Sequence, residues 1–112
     1  MKRTTPLKRT RMTPSKDTLA RCRERRAFVA RIKQRDPCCR ACNVRPSWDV
    51  HEPFTRGRGG PADDERNAVG ICRACHDYIH HTADGQKWAT ANGLLVPSHL
   101  GAEWLAAGGV LR

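Results

Sequence analysis

Aromatic side chains are scarce in this chain: two Phe, three Trp and one Tyr among 112 residues. A single domain of that length with so few large rings has a modest core and gains from a staple, either metal or disulfide. Long apolar runs are missing as well, and none approaches the roughly 20 residues of a membrane span, so no membrane partner is expected. Met1 leads into Lys2-Arg3 and polar residues rather than an apolar signal core. The expectation is a cytoplasmic chain, not a secreted one. Acidic residues are nearly absent from the first third. Residues 1–35 hold 13 Lys+Arg against Asp17 and Glu24, whereas residues 36–112 hold 8 Lys+Arg against 9 Asp+Glu. The whole excess of +10 therefore lies at one end. Such a block is the footprint of a polyanion binder, nucleic acid first; a solvating basic tail is the alternative. No internal repeat is visible.

What is present is cysteine and histidine, concentrated between residues 39 and 80. Cys39/Cys42 and Cys72/Cys75 form two Cys-x-x-Cys pairs. Paired knuckles of this spacing in a reducing compartment favour zinc over disulfides. Cys39 gives the standard two-residue gap to Cys42, leaving Cys38 as a neighbour without a role. Between and after the pairs stand His51, Asn67, His76 and His80, more histidines than one four-cysteine site needs. Two metal centres are expected, one structural and one chemical.

Taken in order, residues 1–14 form a basic arm with almost nothing to bury, disordered until it meets a phosphate backbone. Thr13-Pro14-Ser15 offers a helix start. Over residues 15–35 a helix is predicted, with Leu19, Cys22, Phe28, Val29 and Ile32 on its apolar face and Arg21, Arg23, Arg25, Arg26 and Lys33 elsewhere. Cys22 reads as packing rather than as a ligand. Asp36-Pro37 ends the helix. Ser47-Trp48-Asp49-Val50-His51 has the composition of a short strand closed by Pro53. A glycine-rich loop follows over residues 55–64, then a returning strand at Ala68-Val69-Gly70-Ile71 and a helix over residues 72–81. His76 and His80, four apart, share one face of that helix; His81 points away. Residues 83–91 suit a further helix with Trp88 as core, Asn92-Gly93 stops it, and Leu94-Leu95-Val96 reads as a short strand. The tail, residues 97–112, has apolar helical turns around Trp104 and Leu105 broken by Gly108-Gly109, and His99 is an exposed bystander.

The order His51, Asn67, His76 within a strand–loop–strand–helix unit resembles the HNH endonucleases, the ββα-metal fold, in a four-cysteine zinc variant. The likeness spans residues 19–96. It takes in both knuckles, Asp49-Val50-His51-Glu52, Arg58-Gly59-Gly60, Asn67 and the run from Cys75-His76 to His80. The basic leader and Gly93-Leu94-Leu95 look like small phage and prophage members. The fold expected is thus a small zinc-stapled α+β domain at residues 15–96. An HNH core would carry an N-terminal basic helix and a C-terminal helical segment.

The resemblance implies a structural Zn²⁺ on Cys39, Cys42, Cys72 and Cys75. It also implies a catalytic Mg²⁺, Mn²⁺, Ni²⁺ or Zn²⁺ on His51 and His76, with His80 as a third ligand. Imidazole donors favour the transition metals over Mg²⁺. DNA would be cut to 5′-phosphate and 3′-hydroxyl ends, with phage terminase or other packaging proteins as further partners. Asn67 would orient the general base. The sequence departs from the family at the adjacent pair, where His51-Glu52 stands in place of Asp-His or His-His. Two assignments follow: His51 on the metal with Glu52 as base, favoured by the alignment, or His51 as base with Asp49 on the metal. Glutamate is the weaker base, with an unperturbed pKa of about 4.3 against about 6.5 for histidine. Glu52 could also merely balance Arg56 or Arg58. Arg56, Arg58, Arg73, Arg23 and Arg26 are candidate DNA contacts. A zinc-stapled DNA-binding module without catalysis and a packaging adaptor are the competing readings.

Overall fold

The computed structural model describes residues 11–112. The expected disordered arm therefore lies, for residues 1–10, outside the described residues. Ser15 caps the first helix by accepting the Thr18 N–H, and α1 runs Lys16–Arg35. Burial along α1 is confined to its C-terminal half, where Phe28 and Ile32 are buried against Ala68 and Val50. Leu19 and Cys22, expected on the apolar face, are exposed, and Val29 is half-buried. The correction has a simple cause: the sheet is too short to lie under the first turns of a 20-residue helix.

The sheet has two strands, β1 (Asp49–His51) and β2 (Val69–Ile71), paired antiparallel with Asp49 opposite Ile71 and His51 opposite Val69. Alternation along β1 turns Val50 toward α1 and sends Asp49 and His51 to the other face. Helix α2 (Arg73–His81) and helix α3 (Ala83–Ala91) follow. Thr82 ends the one and caps the other by accepting the Gly85 N–H. At Gly85 a Cβ would lie 1.8 Å from the Tyr78 carbonyl oxygen, so the two helices meet at a point where only glycine fits. Ile71, Ile79, Ala89, Leu94 and Leu95 form the main core with Cys39 and Cys72, and Trp88 packs against it as expected.

Residues 94–96, expected as a strand, form none. The Leu94 and Leu95 amides both donate to the Ala89 carbonyl, and the Val96 amide donates to Pro53. Those bonds close the end of α3 and lay the chain against the segment after β1, so these amides are taken by acceptors outside any strand ladder. Beyond lies α4 (Gly101–Ala106), and the positive φ of Gly108 and Gly109 ends it. The last residues are tied back by the Arg66 and Arg40 guanidiniums, which donate to the Leu105 and Val110 carbonyls. Among the described residues no helix is long and apolar enough to cross a membrane. The molecule is a small α+β domain.

Asp36, the last cap of α1, ties that helix to the sheet. Its Oδ2 accepts the Gly70 amide at 2.9 Å and Arg35 Nη2 at 2.8 Å. Burial alone would raise its pKa, but Arg35, the Gly70 amide and Arg40 hold the carboxyl below its ordinary value. Gly70 is itself obligatory, since a Cβ there would meet Ser47 Oγ at 2.7 Å and the Asp36 side chain at 2.8 Å. Asp36→Ala would leave the buried Gly70 N–H without an acceptor and cost about 1–3 kcal/mol. A lowered thermal midpoint at fixed zinc, with far-ultraviolet dichroism unchanged at low temperature, is the expected result.

Candidate functional site

Among the described residues two clusters of metal-ligating side chains are present. The first is the four cysteines. Their sulfurs lie within 4.8 Å of one another, with Cys39 and Cys72 buried and Cys42 and Cys75 half-buried. Zn–S bonds of about 2.3 Å give a tetrahedron with edges of about 3.8 Å, and Cys42 Sγ stands 3.9 Å from Cys72 Sγ. The backbone supplies the donors that thiolates need. Ala41 and Cys42 amides donate to Cys39 Sγ, and the Cys75 amide donates to Cys72 Sγ, the cap of α2. Amides of Arg45 and Val44 bring Cys42 down to about 6. Burial opposes ionisation of Cys72, but the Cys75 amide and neighbouring thiols win and lower its pKa. Cys75 is pushed up, by burial first and then by Cys72 and Cys39. Four sulfurs this close cannot all ionise unaided, and a divalent cation is what allows it. The donor set and spacing fit a structural metal such as zinc. Cys22 and Cys38 stand apart, exposed.

The second cluster is His51, His76 and His80, with one ring nitrogen from each within 4.8 Å of the others. Their ring centroids are 4.6 to 5.4 Å apart. β1 contributes His51 from its last position, and α2 contributes the other two from positions one turn apart. The His51 ring is 1% exposed, and its Nε2–H donates to the Leu94 carbonyl at 2.6 Å. That bond leaves the lone pair on Nδ1. Burial, together with the neighbouring charges of His76 and His80, lowers the His51 pKa to about 4, against the pull of Leu94. His80 is also lowered, by burial first and then by His76 and His81. These two rings therefore offer lone pairs at neutral pH without first losing protons.

Asp49 does not join the trio. Its Oδ2 accepts from His76 Nδ1 at 3.1 Å, and its Oδ1 from Arg73 at 3.2 Å. Burial raises its pKa, but His76 and Arg73 outweigh that and leave it lowered. The carboxylate thus fixes the His76 tautomer and leaves Nε2 free, a second-layer contact typical of ligating histidines. Asp49, the metal ligand of the alternative assignment, is engaged by His76 and Arg73.

Glu52 follows His51 but turns toward α1, as strand alternation requires. Its Oε1 lies 3.4 Å from Arg25 Nη2 and 3.7 Å from Arg56 Nη2. Oε2 is buried without a hydrogen-bond partner among the described residues. Asn67, 1% exposed, spends its side chain on backbone: Oδ1 accepts the Phe54 amide, and Nδ2 donates to the Phe54 and Pro61 carbonyls. Among its side-chain bonds none reaches Glu52 or His51, so its geometry is that of a clasp on the loop after β1. Arg23, Arg26, Arg56, Arg58 and Arg73 are all exposed. Arg73 is engaged by Asp49, and Arg58 donates to the Val96 carbonyl. His81 and His99 are exposed and apart from both clusters.

Sequence reasoning missed Arg25, which bridges Glu52 and Asp63. One arginine among many on a basic helix carries no local signal for that. It missed the Leu94 carbonyl for a different reason: a backbone acceptor has no residue type to read.

Two outcomes are expected in solution. Purified protein should carry tightly held zinc, and Cys72→Ser should abolish both that zinc and cooperative thermal unfolding, since structural zinc contributes folding energy outright. Without a cation on the histidines, His51 should titrate near pH 4 by ring-proton NMR, well under the ordinary 6.5. Folded His51 resists protonation while the unfolded ring accepts it, so its contribution to stability is full above pH 6.5 and is lost as the pH falls toward 4. Neither a protein-family model, nor a curated protein, nor a solved structure matches this chain.

Proposed function

We propose that this chain is a metal-dependent DNA endonuclease of the HNH type, hydrolysing phosphodiester bonds to 5′-phosphate and 3′-hydroxyl ends. The observation that carries the reading is the convergence of His51, His76 and His80 within 4.8 Å, with His51 next in sequence to Glu52, whose Oε2 has no hydrogen-bond partner among the described residues. Three imidazoles, two of them held by hydrogen bonds that settle which nitrogen is free, fit a borderline transition ion better than Mg²⁺. When bound there, such a cation supplies Lewis acidity to a phosphate oxygen and stabilises the leaving 3′ oxygen.

The remaining work falls to the chain. His51 and His76 keep fixed orientations through the Leu94 carbonyl and Asp49. Glu52 takes the proton of the water that attacks phosphorus, the bond to the 3′ oxygen breaks, and that oxygen takes a proton from solvent as the alcohol departs. Asn67 holds the turn from Phe54 to Pro61 that carries Arg56 and Arg58 beside the substrate. Cys39, Cys42, Cys72 and Cys75 would hold a zinc ion that joins the segment before β1 to the start of α2 and so would fix the spacing between His51 and His76. The basic face of α1, including Arg23 and Arg26, attracts the DNA backbone.

Supercoiled plasmid incubated with protein and Mn²⁺, Ni²⁺ or Mg²⁺ tests the proposal. Conversion to open-circle DNA is expected, abolished by EDTA and by His51→Ala. Glu52→Gln should slow it about 10²- to 10⁴-fold, the usual worth of a general base. No cleavage with any of these ions, with duplex binding intact, would sink the nuclease and leave a zinc-stapled DNA-binding module.

A further inference from the structure

Between α1 and the loop that follows β1 lies a groove of about 760 Å³, away from both cysteine and histidine clusters. Its walls carry Arg21, Arg25 and Arg26 from the helix and Arg56 from the loop, with Glu24 and Asp63 among them. Among the described residues neither Arg21 nor Arg26 has a carboxylate within ion-pair distance. Arg25 differs. One of its nitrogens donates to Asp63 Oδ1 at 2.6 Å and the other faces Glu52 Oε1 at 3.4 Å. The Arg56 guanidinium approaches the same Glu52 oxygen from the loop side. Two guanidiniums thus converge on one carboxylate oxygen, with Asp63 held against the outer edge of the first.

A guanidinium fork matches two oxygens of a phosphate as well as it matches two carboxylate oxygens. The Arg25 fork is here divided between Asp63 and Glu52, each supplying one oxygen. Asp63 stands in the left-handed region with φ of 53°, a conformation that aspartate adopts more readily than most residues. Its side chain is 40% exposed, so water and competing anions reach the pair. The contact between Asp63 and Arg25 is therefore one that a phosphate can displace.

We propose that this groove holds a backbone phosphate of nucleic acid, with Arg25 and Arg56 as its clamp, and that Asp63 acts as a stand-in anion in the free protein. The inference rests on the nuclease reading for its substrate class and adds the second contact point. A phosphate in the groove would draw both guanidiniums off the Glu52 carboxylate. The groove thereby links backbone binding to the state of Glu52.

The test is equilibrium binding of a fluorescent 20-base-pair duplex to zinc-loaded full chain, in the absence of other divalent ions, across a salt series. Wild type, Arg25→Ala, Asp63→Asn and, as an exposed control outside the groove, Lys87→Ala are compared. Arg25→Ala should weaken binding roughly tenfold and reduce the slope of log K against log salt by about 0.9, one phosphate contact. Asp63→Asn should tighten binding by roughly twofold to fivefold, the worth of an exposed ion pair released. Lys87→Ala should do neither. Asp63→Asn keeps its meaning even if Arg25→Ala unfolds, because a merely structural pair would give weaker binding, not tighter. Unchanged or weaker binding by Asp63→Asn, or an unchanged salt slope in folded Arg25→Ala, would overturn the clamp while wild-type binding stood. Absence of salt-sensitive binding by wild type would overturn the DNA reading itself, and the clamp with it.

Discussion

Everything in this domain hangs on four sulfurs being within 4.8 Å of one another. Cys42 and Cys72 are thirty positions apart, and the chain between them holds the whole two-stranded sheet and its connecting loop. With so few aromatic residues, that interval has little apolar surface with which to find its own register. Joining its ends removes part of the freedom that this interval loses on folding. The same join sets where α2 begins, since Cys72 is at once a member of the cluster and the cap of that helix. Positions His76 and His80 then follow from helical geometry alone.

A second constraint works from the opposite side. α1 reaches the sheet through Phe28, Ile32 and the Asp36 carboxylate, while its first turns project beyond it. Half of the helix serves as structure, and the other half presents charge. Such a division lets one helix pack on the sheet through its C-terminal half and leave the arginines of its first turns exposed. Repulsion among the arginines is spent in solvent, where it is screened.

The parts readable in sequence were those with a fixed local spacing. Both Cys-x-x-Cys pairs, the i, i+4 histidines and the helix limits at Ser15, Asp36 and Asn92 all depend on residues close in the chain. The short strand composition around Asp49 and the returning strand before Ile71 were legible for the same reason. What was not legible depends on contacts across space. Residues 94–96 have strand-like side chains, but their amides are claimed by Ala89 and Pro53. Leu19 and Cys22 sit at apolar helical positions that none of the described residues buries. Asp49 was the alternative ligand because it lies two residues before His51 on the same strand face; its contact with His76 Nδ1 across the space between β1 and α2 carried no local signal. Arg25 looked like any other arginine until Asp63 and Glu52 were beside it.

The bond from His51 to Leu94 has a further bearing on which changes this chain can tolerate. Its acceptor is a main-chain oxygen, present whatever side chain stands at position 94. Substitution there alters the core but leaves the acceptor in being. The orientation of His51 is accordingly insulated from ordinary point variation at its partner. It is vulnerable instead to insertions or deletions between Ala89 and Val96, which would redirect the main chain and carry that oxygen away.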